Sequence, residues 1–372
     1  MTRNPLDRAA FMQRYWQREP LLVRGAFPRF ADPLSPREVL ALASSTEAVS
    51  RLVRRSGRSW SVEHGPIPAS RFKQLPRRDW TVLVQDTNHF SRAADQLLSR
   101  FSFIPHARID DVMVSYAVPG GSVGPHVDSY DVFLLQGRGK RRWRISRQKD
   151  LAFIPGLDLK VLARFKPRTE WLLEPGDMLY LPPGVAHHGI AETECLTWSI
   201  GFRAPTDAEL VQGFLDFLRD RLSPSGQYGD AGERATRHPG AIPPRWLRHA
   251  QGALRSIRWT RGDVLEFAGR FLSEPKAHVF FTPPRPALGR SRFERRAALG
   301  GLALDPRSRL LFSGTMFFVN GEAMRVPARA GAALRRLADA RALAAPVAAP
   351  REFWDVVHAW YLRGFVTTGE AP

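Results

Sequence analysis

Two histidines and one aspartate in the sequence have the types and spacing of metal ligands. His126 and Asp128 stand two residues apart, and residues i and i+2 of a β-strand point to the same face. His187 follows a Pro-Pro-Gly turn at residues 182–184, which would fix the approach of a third ligand from another strand. Two histidines and one carboxylate on one face form the facial triad of non-haem Fe(II) oxygenases, which leaves coordination positions open. The sequence therefore predicts that His126, Asp128 and His187 bind Fe(II) and form the catalytic centre.

The alternative for these residues is a structural role. His126 could lie at a strand end, Asp128 could cap a turn, and His187 could be an ordinary loop residue. His188 also competes with His187 for the third position, because adjacent residues of an extended segment point in opposite directions and only one of them can be a ligand. We expect His187 to be the ligand, and His188 to lie near the cavity mouth or to form a hydrogen bond in the wall.

A further candidate site residue, Arg141, follows the predicted hairpin turn at Gly137–Gly139. Strand alternation beyond this turn places Arg141 and Trp143 on one face, which should point to the core. A buried guanidinium is costly unless an anion pairs with it. A dicarboxylate co-substrate would supply that anion through a bidentate contact. The alternative is an internal salt bridge to a protein carboxylate such as Asp131 or Glu174.

The elements that must position these residues fall into three parts. Residues 1–205 alternate short apolar runs with Gly/Pro turns, which is typical of an antiparallel double-sheet barrel. Residues 206–277 show helical spacing of apolar residues after Thr206, a predicted N-cap, and we interpret this part as a helical dimerisation segment. Residues 278–372 resemble a winged-helix module. They contain predicted strands and helices at Leu310–Ser313, Met316–Val319, Ala332–Leu343 and Glu352–Arg363.

The charge of the chain is strongly positive, with a formal net charge of +19 and a pI of about 11.1. Arginine dominates, because only six cations are lysine: Lys73, Lys140, Lys149, Lys160, Lys166 and Lys276. Codon usage in a GC-rich genome would explain this skew. A long-range field that attracts nucleic acid or a ribonucleoprotein particle would explain the net charge equally well.

The composition also indicates a compartment. The single cysteine, Cys195, excludes an intramolecular disulfide and fits a reducing cytoplasm. No run approaches the ~20 apolar residues of a membrane helix, and the first residues lack the apolar core of a signal peptide. We expect a cytoplasmic protein without membrane contact.

Longer runs around the motifs resemble a known family. Phe11–Gly25, Gly124–Gly137 and Arg141–Arg144 are similar to the bacterial ribosomal oxygenases, JmjC/cupin-type enzymes that hydroxylate an arginine of large-subunit ribosomal protein sixteen. The resemblance covers nearly the whole chain. It implies a mainly β plus α fold, in which a double-stranded β-helix (the cupin/JmjC jelly roll) precedes a helical dimerisation segment and a C-terminal winged helix.

The same resemblance implies the roles of individual residues. His126, Asp128 and His187 would bind Fe(II), and the spacing from the Pro-Gly turn selects His187 over His188. Arg141 would hold the distal carboxylate of the co-substrate 2-oxoglutarate. Ser115 matches a position near that carboxylate, with an ordinary strand serine as the alternative.

The function expected from these features is Fe(II)- and 2-oxoglutarate-dependent hydroxylation of an arginine on a ribosomal protein. Hydroxylation of a tRNA base, or of a histidine or lysine in a protein, stays open, as does a non-enzymatic nucleic-acid-binding regulator built on a cupin scaffold. A basic ribosomal substrate would be repelled by so basic a chain. Acidic residues near the site would have to guide a cationic side chain, and the candidates are Asp86, Asp110, Asp111 and Asp131.

Overall fold

Two facing antiparallel sheets form the double-stranded β-helix of the first part of the chain. The computed structural model describes residues 6–57 and 59–369, so the outermost residues of the predicted first and third domains lie outside it. The strands are β1 (Leu21–Val23), β2 (Ser50–Ser56), β3 (Ser59–His64), β4 (Trp80–Val84), β5 (Ile109–Ala117), β6 (Asp131–Gln136), β7 (Arg141–Ser146), β8 (Thr169–Leu173), β9 (Met178–Leu181), β10 (Ala186–Ala191) and β11 (Cys195–Phe202).

The two sheets differ in size. The major sheet has the strand order β1-β9-β6-β11-β5-β4-β2-β3, and the minor sheet has the order β10-β7-β8. Short helices α1 (Arg8–Arg14), α2 (Pro36–Ala43), α3 (Ala69–Lys73) and α4 (Arg92–Ser99) accompany the major sheet. The predicted jelly-roll fold is confirmed.

Burial on both faces of the major sheet explains its apolar strands. Every residue of β6 is buried. Phe133 and Leu135 point into a large aromatic cluster outside the barrel, whereas Val132 and Leu134 point into the barrel between the sheets. A strand covered on both faces reads as a continuous apolar run rather than an alternating one. The barrel interior is therefore walled by aliphatic side chains next to the predicted ligands.

The central part of the chain is helical. It contains α5 (Asp207–Arg219), α6 (Pro244–Arg255) and α7 (Arg261–Ser273). Thr206 caps α5 in a reciprocal capping box with Glu209, which confirms the predicted N-cap. Sequence analysis did not predict α6. None of its residues is buried, so no core contact of its own marks the helix.

The last part of the chain combines helices and short sheets around its own apolar core. Its elements are α8 (Arg290–Gly300), β12 (Leu302–Leu304), β13 (Leu310–Ser313), β14 (Met316–Val319), β15 (Glu322–Arg325), α9 (Ala328–Ala340), β16 (Ala342–Leu343), α10 (Arg351–Leu362) and β17 (Val366–Thr368). Asn320 and Gly321 both have positive φ between β14 and β15, as a tight hairpin turn requires. Within the described part of the chain, no helix combines the length and apolar character of a bilayer span.

Candidate active site

Backbone pairing brings the two predicted histidine ligands together. The N–H of His126 donates to the carbonyl of His187, and the N–H of His187 donates to the carbonyl of His126, both at 2.9 Å. Directly paired residues present their side chains on the same face, and the two imidazole centroids are 4.2 Å apart. The Nε2 atoms of His126 and His187 lie 3.9 and 3.5 Å from carboxylate oxygens of Asp128. The three predicted ligands thus form one cluster, with their donor atoms within 4.8 Å of one another.

Hydrogen bonds to the backbone define which imidazole nitrogen is free. Nδ1 of His126 lies 2.9 Å from the carbonyl of Gly124, and Nδ1 of His187 lies 2.9 Å from the carbonyl of Val185. A carbonyl only accepts, so each Nδ1 donates and Nε2 is the nitrogen of each ring that remains for a metal. Burial, assisted by the neighbouring His126, lowers the pKa of His187 to about 4. Two imidazole nitrogens and one carboxylate suit a divalent transition metal.

The turn before His187 is hydrogen-bonded to the backbone of Asp128. The N–H of Gly184 donates to the carbonyl of Asp128 at 2.8 Å, and Gly184 has a φ of +78°, a conformation that favours glycine. The turn therefore holds β10 against the short segment that carries His126 and Asp128. This contact explains why a Pro-Pro-Gly sequence precedes the histidine.

Arg141 lies inside the barrel as predicted, with 6% of its surface exposed. Its Nη1 donates to Oγ of Ser115 at 3.0 Å, and its guanidinium carbon lies 5.8 Å from the ring centroid of Trp143. Nε and Nη2 are buried and have no hydrogen-bond partner among the described residues. Unpaired buried donors of a charged group are strongly unfavourable, so this site fits a bound anion.

The internal salt bridge considered for Arg141 does not form. Asp131 accepts hydrogen bonds from Arg108 at 2.9 Å and from Tyr180 at 2.5 Å. Glu174 pairs with Lys140 at 2.5 Å. Both carboxylates are therefore engaged elsewhere, and the structural alternative for Arg141 is wrong.

His188 points to the opposite face of β10. It pairs in register with Arg144, its ring centroid lies 6.1 Å from that of Phe165, and burial lowers its pKa to about 3. The expected hydrogen bond in the wall is not present at Nε2, which has no partner among the residues that the structure describes. The next residue, Gly189, lies directly over Trp143, and an added Cβ would approach that ring to 2.7 Å.

The acidic residues expected near the site lie in two places. Asp131 accepts hydrogen bonds from Arg108 and Tyr180, so it is not free to guide a substrate. Nζ of Lys276 lies 2.9 Å from Asp86, 3.3 Å from Asp110 and 3.6 Å from Asp111. Burial, together with the neighbouring carboxylates, raises the pKa of Asp111 to about 6, although Lys276 opposes this shift.

Tyr130 lies within electrostatic range of both this acidic cluster and the candidate ligand Asp128. Burial raises the pKa of Tyr130 far above its usual value, and the negative charges of Asp128, Asp111 and Asp110 raise it further. No sequence pattern marked Tyr130 or Lys276 as a candidate site residue. Lys276 is separated from Asp86 by 190 residues, and no local pattern marks such a contact.

Known family models match two parts of the chain. Residues 96–210 match the JmjC domain, and residues 256–367 match the ROXA-like winged helix. The ribosomal protein uL16 3-hydroxylase of Escherichia coli K12 is 35% identical over 327 residues, which covers 86% of each chain. A probable ribosomal oxygenase of Haemophilus influenzae is 39% identical over 207 residues, which covers 55% of this chain and 51% of the relative.

Solved structures show the same arrangement over the full length. The E. coli ribosomal oxygenase YcfD in complex with cobalt and 2-oxoglutarate has a TM-score of 0.82 and 32% identity, and the match covers 98% of this chain and 99% of YcfD. The complex of YcfD with cobalt and succinic acid has a TM-score of 0.81 and 33% identity, with the same coverage. Sequence and structure agree over nearly the whole chain, and the protein therefore belongs to the JmjC-domain ribosomal oxygenases.

Proposed function

We propose that this protein hydroxylates an arginine side chain of a ribosomal protein, with Fe(II) and 2-oxoglutarate. The enzyme class, a 2-oxoglutarate-dependent dioxygenase, follows from membership of the family. One observation carries the proposal: a cluster of two imidazoles and a carboxylate shares a barrel with a buried guanidinium whose Nε and Nη2 have no partner among the described residues. A regulator that only binds nucleic acid has no use for this combination.

His126, Asp128 and His187 would hold the metal. Fe(II) supplies the activation of dioxygen, coupled to oxidation of 2-oxoglutarate to succinate and carbon dioxide. The chain's own contribution is to fix the ligand nitrogens through the Gly124 and Val185 carbonyls. The orientation of both rings is thus set before any ligand binds.

Arg141 and Ser115 would bind the distal carboxylate of 2-oxoglutarate. Arg141 offers the unpaired Nε and Nη2, and its Nη1 is already oriented by Ser115. The surrounding barrel wall is apolar, so water is excluded and the ionic contact is stronger than it would be at a surface. YcfD, which shares this fold, has been solved in complex with cobalt and 2-oxoglutarate, which supports a 2-oxoglutarate site in the protein but does not identify its residues.

Two features support a ribosomal arginine as substrate. The E. coli relative is named for hydroxylation of ribosomal protein uL16. The negative charges proposed to attract a guanidinium are those of Asp110, Asp111 and Asp128, which all act electrostatically on Tyr130, although Lys276 already contacts Asp110 and Asp111. A cytoplasmic location follows from such a substrate and is part of the proposal.

We also propose that the protein forms a homodimer through its helical segment. Large apolar side chains of α5 and α6 are exposed, with Val211 at 58%, Leu215 at 60% and Leu254 at 68%. Exposed apolar residues on two successive helices indicate a protein interface rather than a solvated surface.

Mass spectrometry of ribosomal proteins from cells with and without this protein tests the function. We expect a gain of one oxygen on an arginine of one ribosomal protein, and its loss in the His126→Ala variant. His64→Ala, at an exposed histidine, is the matched control and should retain the modification. A modification that persists in His126→Ala would remove the metal assignment, and oxygen on another residue type would remove the arginine assignment.

A further inference from the structure

The segment between β7 and β8, residues 147–168, carries an excess of uncompensated positive charge; we name it the basic insert. It contains two acidic residues, Asp150 and Asp158. Arg164 lies 3.8 Å from Asp150, and it is the one cation of the insert with an ion-pair partner among the described residues. All six cations of the insert are exposed: Arg147, Lys149, Lys160, Arg164, Lys166 and Arg168.

The basic insert lies against the short segment that carries two of the candidate ligands, which belongs to no named strand and forms an isolated bridge at His126. The N–H of Leu162 donates to the carbonyl of Pro125 at 2.7 Å, one residue before His126. Val161 is buried and lies so close to Gly124 that a Cβ there would meet it at 3.0 Å. Apolar residues of the insert pack on the barrel while its cations face solvent. The positive charge is therefore held rigidly beside the candidate active site.

Cations next to the basic insert are paired with carboxylates, unlike most of those within it. On the adjoining face of the minor sheet, Arg142 pairs with Glu170 and Glu192, and Arg144 pairs with Glu170. Three of the six lysines of the chain also fall within the 22 residues from 147 to 168, although codon usage that favours arginine would reduce lysine everywhere. Neither general composition nor local pairing explains the charge of the basic insert.

We infer that the basic insert binds the phosphate backbone of RNA that flanks the substrate protein in a ribosomal particle. The inference rests on the proposed function, because a free ribosomal protein is basic and the basic insert would repel it. Exposed lysines and arginines bind phosphates without sequence preference and release counterions. RNA next to the target arginine would turn this repulsion into attraction and bring the target to the barrel.

Binding of a fluorescein-labelled single-stranded RNA, followed by fluorescence anisotropy at several salt concentrations, tests the inference. The variant Lys149→Gln/Lys160→Gln/Lys166→Gln should bind more weakly. The slope of log Kd against log salt should fall by about 2, because each lost phosphate contact contributes about 0.7 for a single strand. Arg292→Gln/Arg295→Gln/Arg296→Gln on α8 removes the same charge from exposed residues that form no ion pair in the described part of the chain. This control should leave the slope close to that of the wild type.

A second measurement compares two substrates. Hydroxylation of the ribosomal protein within its RNA particle should show a raised KM in the lysine variant, whereas succinate production with a short target peptide should not change. Equal RNA binding by the lysine variant and the α8 control overturns the inference, and so does tighter binding to polyglutamate than to RNA. If RNA binds through the basic insert but no ribosomal protein gains oxygen, the proposed function fails and the RNA surface stands.

Discussion

Replacing Arg141 with methionine removes the charge of the guanidinium and keeps an unbranched side chain of similar length. In the wild type, the charge is buried next to Trp143 with two unpaired donor nitrogens. If these donors bind the distal carboxylate of 2-oxoglutarate, Arg141→Met will weaken co-substrate binding without lowering the stability of the ligand-free protein. A structural arginine would give the opposite result.

The expected magnitude follows from the contacts. Removing one partner of a buried, hydrogen-bonded charge pair costs about 2–5 kcal/mol, and each 1.4 kcal/mol is about a factor of ten in affinity. The KM for 2-oxoglutarate should therefore rise by roughly 30-fold to several thousand-fold. The protein without ligand should be as stable as the wild type or more so, because an unpaired buried charge is itself destabilising.

Thermal unfolding with Mn(II), which replaces iron without turnover, separates these effects. The wild type should gain stability on addition of 2-oxoglutarate, since a ligand that binds only the folded state raises the unfolding temperature. Arg141→Met should show no such gain at the same concentration. Arg142→Met, on the exposed face of the same strand, is the control and should respond like the wild type. A ligand-free Arg141→Met protein that is several kcal/mol less stable than the wild type, yet still stabilised by 2-oxoglutarate, would refute the reasoning.

Three further predictions concern stability and assembly. Gly189→Ala should destabilise the barrel by about 1–3 kcal/mol, the usual cost of overpacking, because the new Cβ would lie 2.7 Å from Trp143. Denaturant unfolding should show this loss of stability, and an unchanged free energy of unfolding would mean that the Trp143 ring moves freely. Burial lowers the pKa of His89 from 6.5 to about 4, so the unfolded chain takes up a proton on His89 at a higher pH than the folded protein does. The free energy of unfolding should therefore fall as the pH decreases from 6.5 toward 4. His89→Gln should flatten this part of the stability–pH curve, and an unchanged curve would exclude His89 as its source. Leu215→Glu combined with Leu254→Glu should shift the protein from dimer to monomer in sedimentation experiments, whereas a wild type that is already monomeric would remove the proposed interface.

Local patterns predicted the elements of the fold well where a short stretch of chain determines the structure. The strands Leu310–Ser313 and Met316–Val319 have the predicted bounds, because an Asn-Gly turn and flanking apolar residues act within a few positions. The same holds for the cap at Thr206. The helix α6 was missed because its apolar residues are exposed, so its pattern has no core within the described chain to confirm it.

The candidate site divides in the same way. His126 and Asp128 are two residues apart, and the Pro-Pro-Gly turn marks His187, so the sequence alone indicated all three candidate ligands, which the structure brings into one cluster. The environment of Arg141 could be inferred from strand alternation, but the absence of a pairing carboxylate could not. That absence depends on Arg108 and Lys140, which engage the two acidic candidates. The contacts of Lys276 with three carboxylates join distant parts of the chain and leave no local signal.

The basic insert is positively charged, whereas the residues that act on Tyr130 include the acidic Asp110, Asp111 and Asp128. The two groups of charges act over different distances. At physiological ionic strength the field of exposed charges is screened over about 8 Å, so the basic insert acts mainly on a partner that touches it. Among the carboxylates that act on Tyr130, Asp111 is buried, so its charge is weakly screened and a guanidinium would experience it only after entering. A polyanion at the rim and a cation at the centre can thus be attracted by the same face of the protein. On this reasoning, added salt should weaken the docking of the particle far more than the binding of a target peptide.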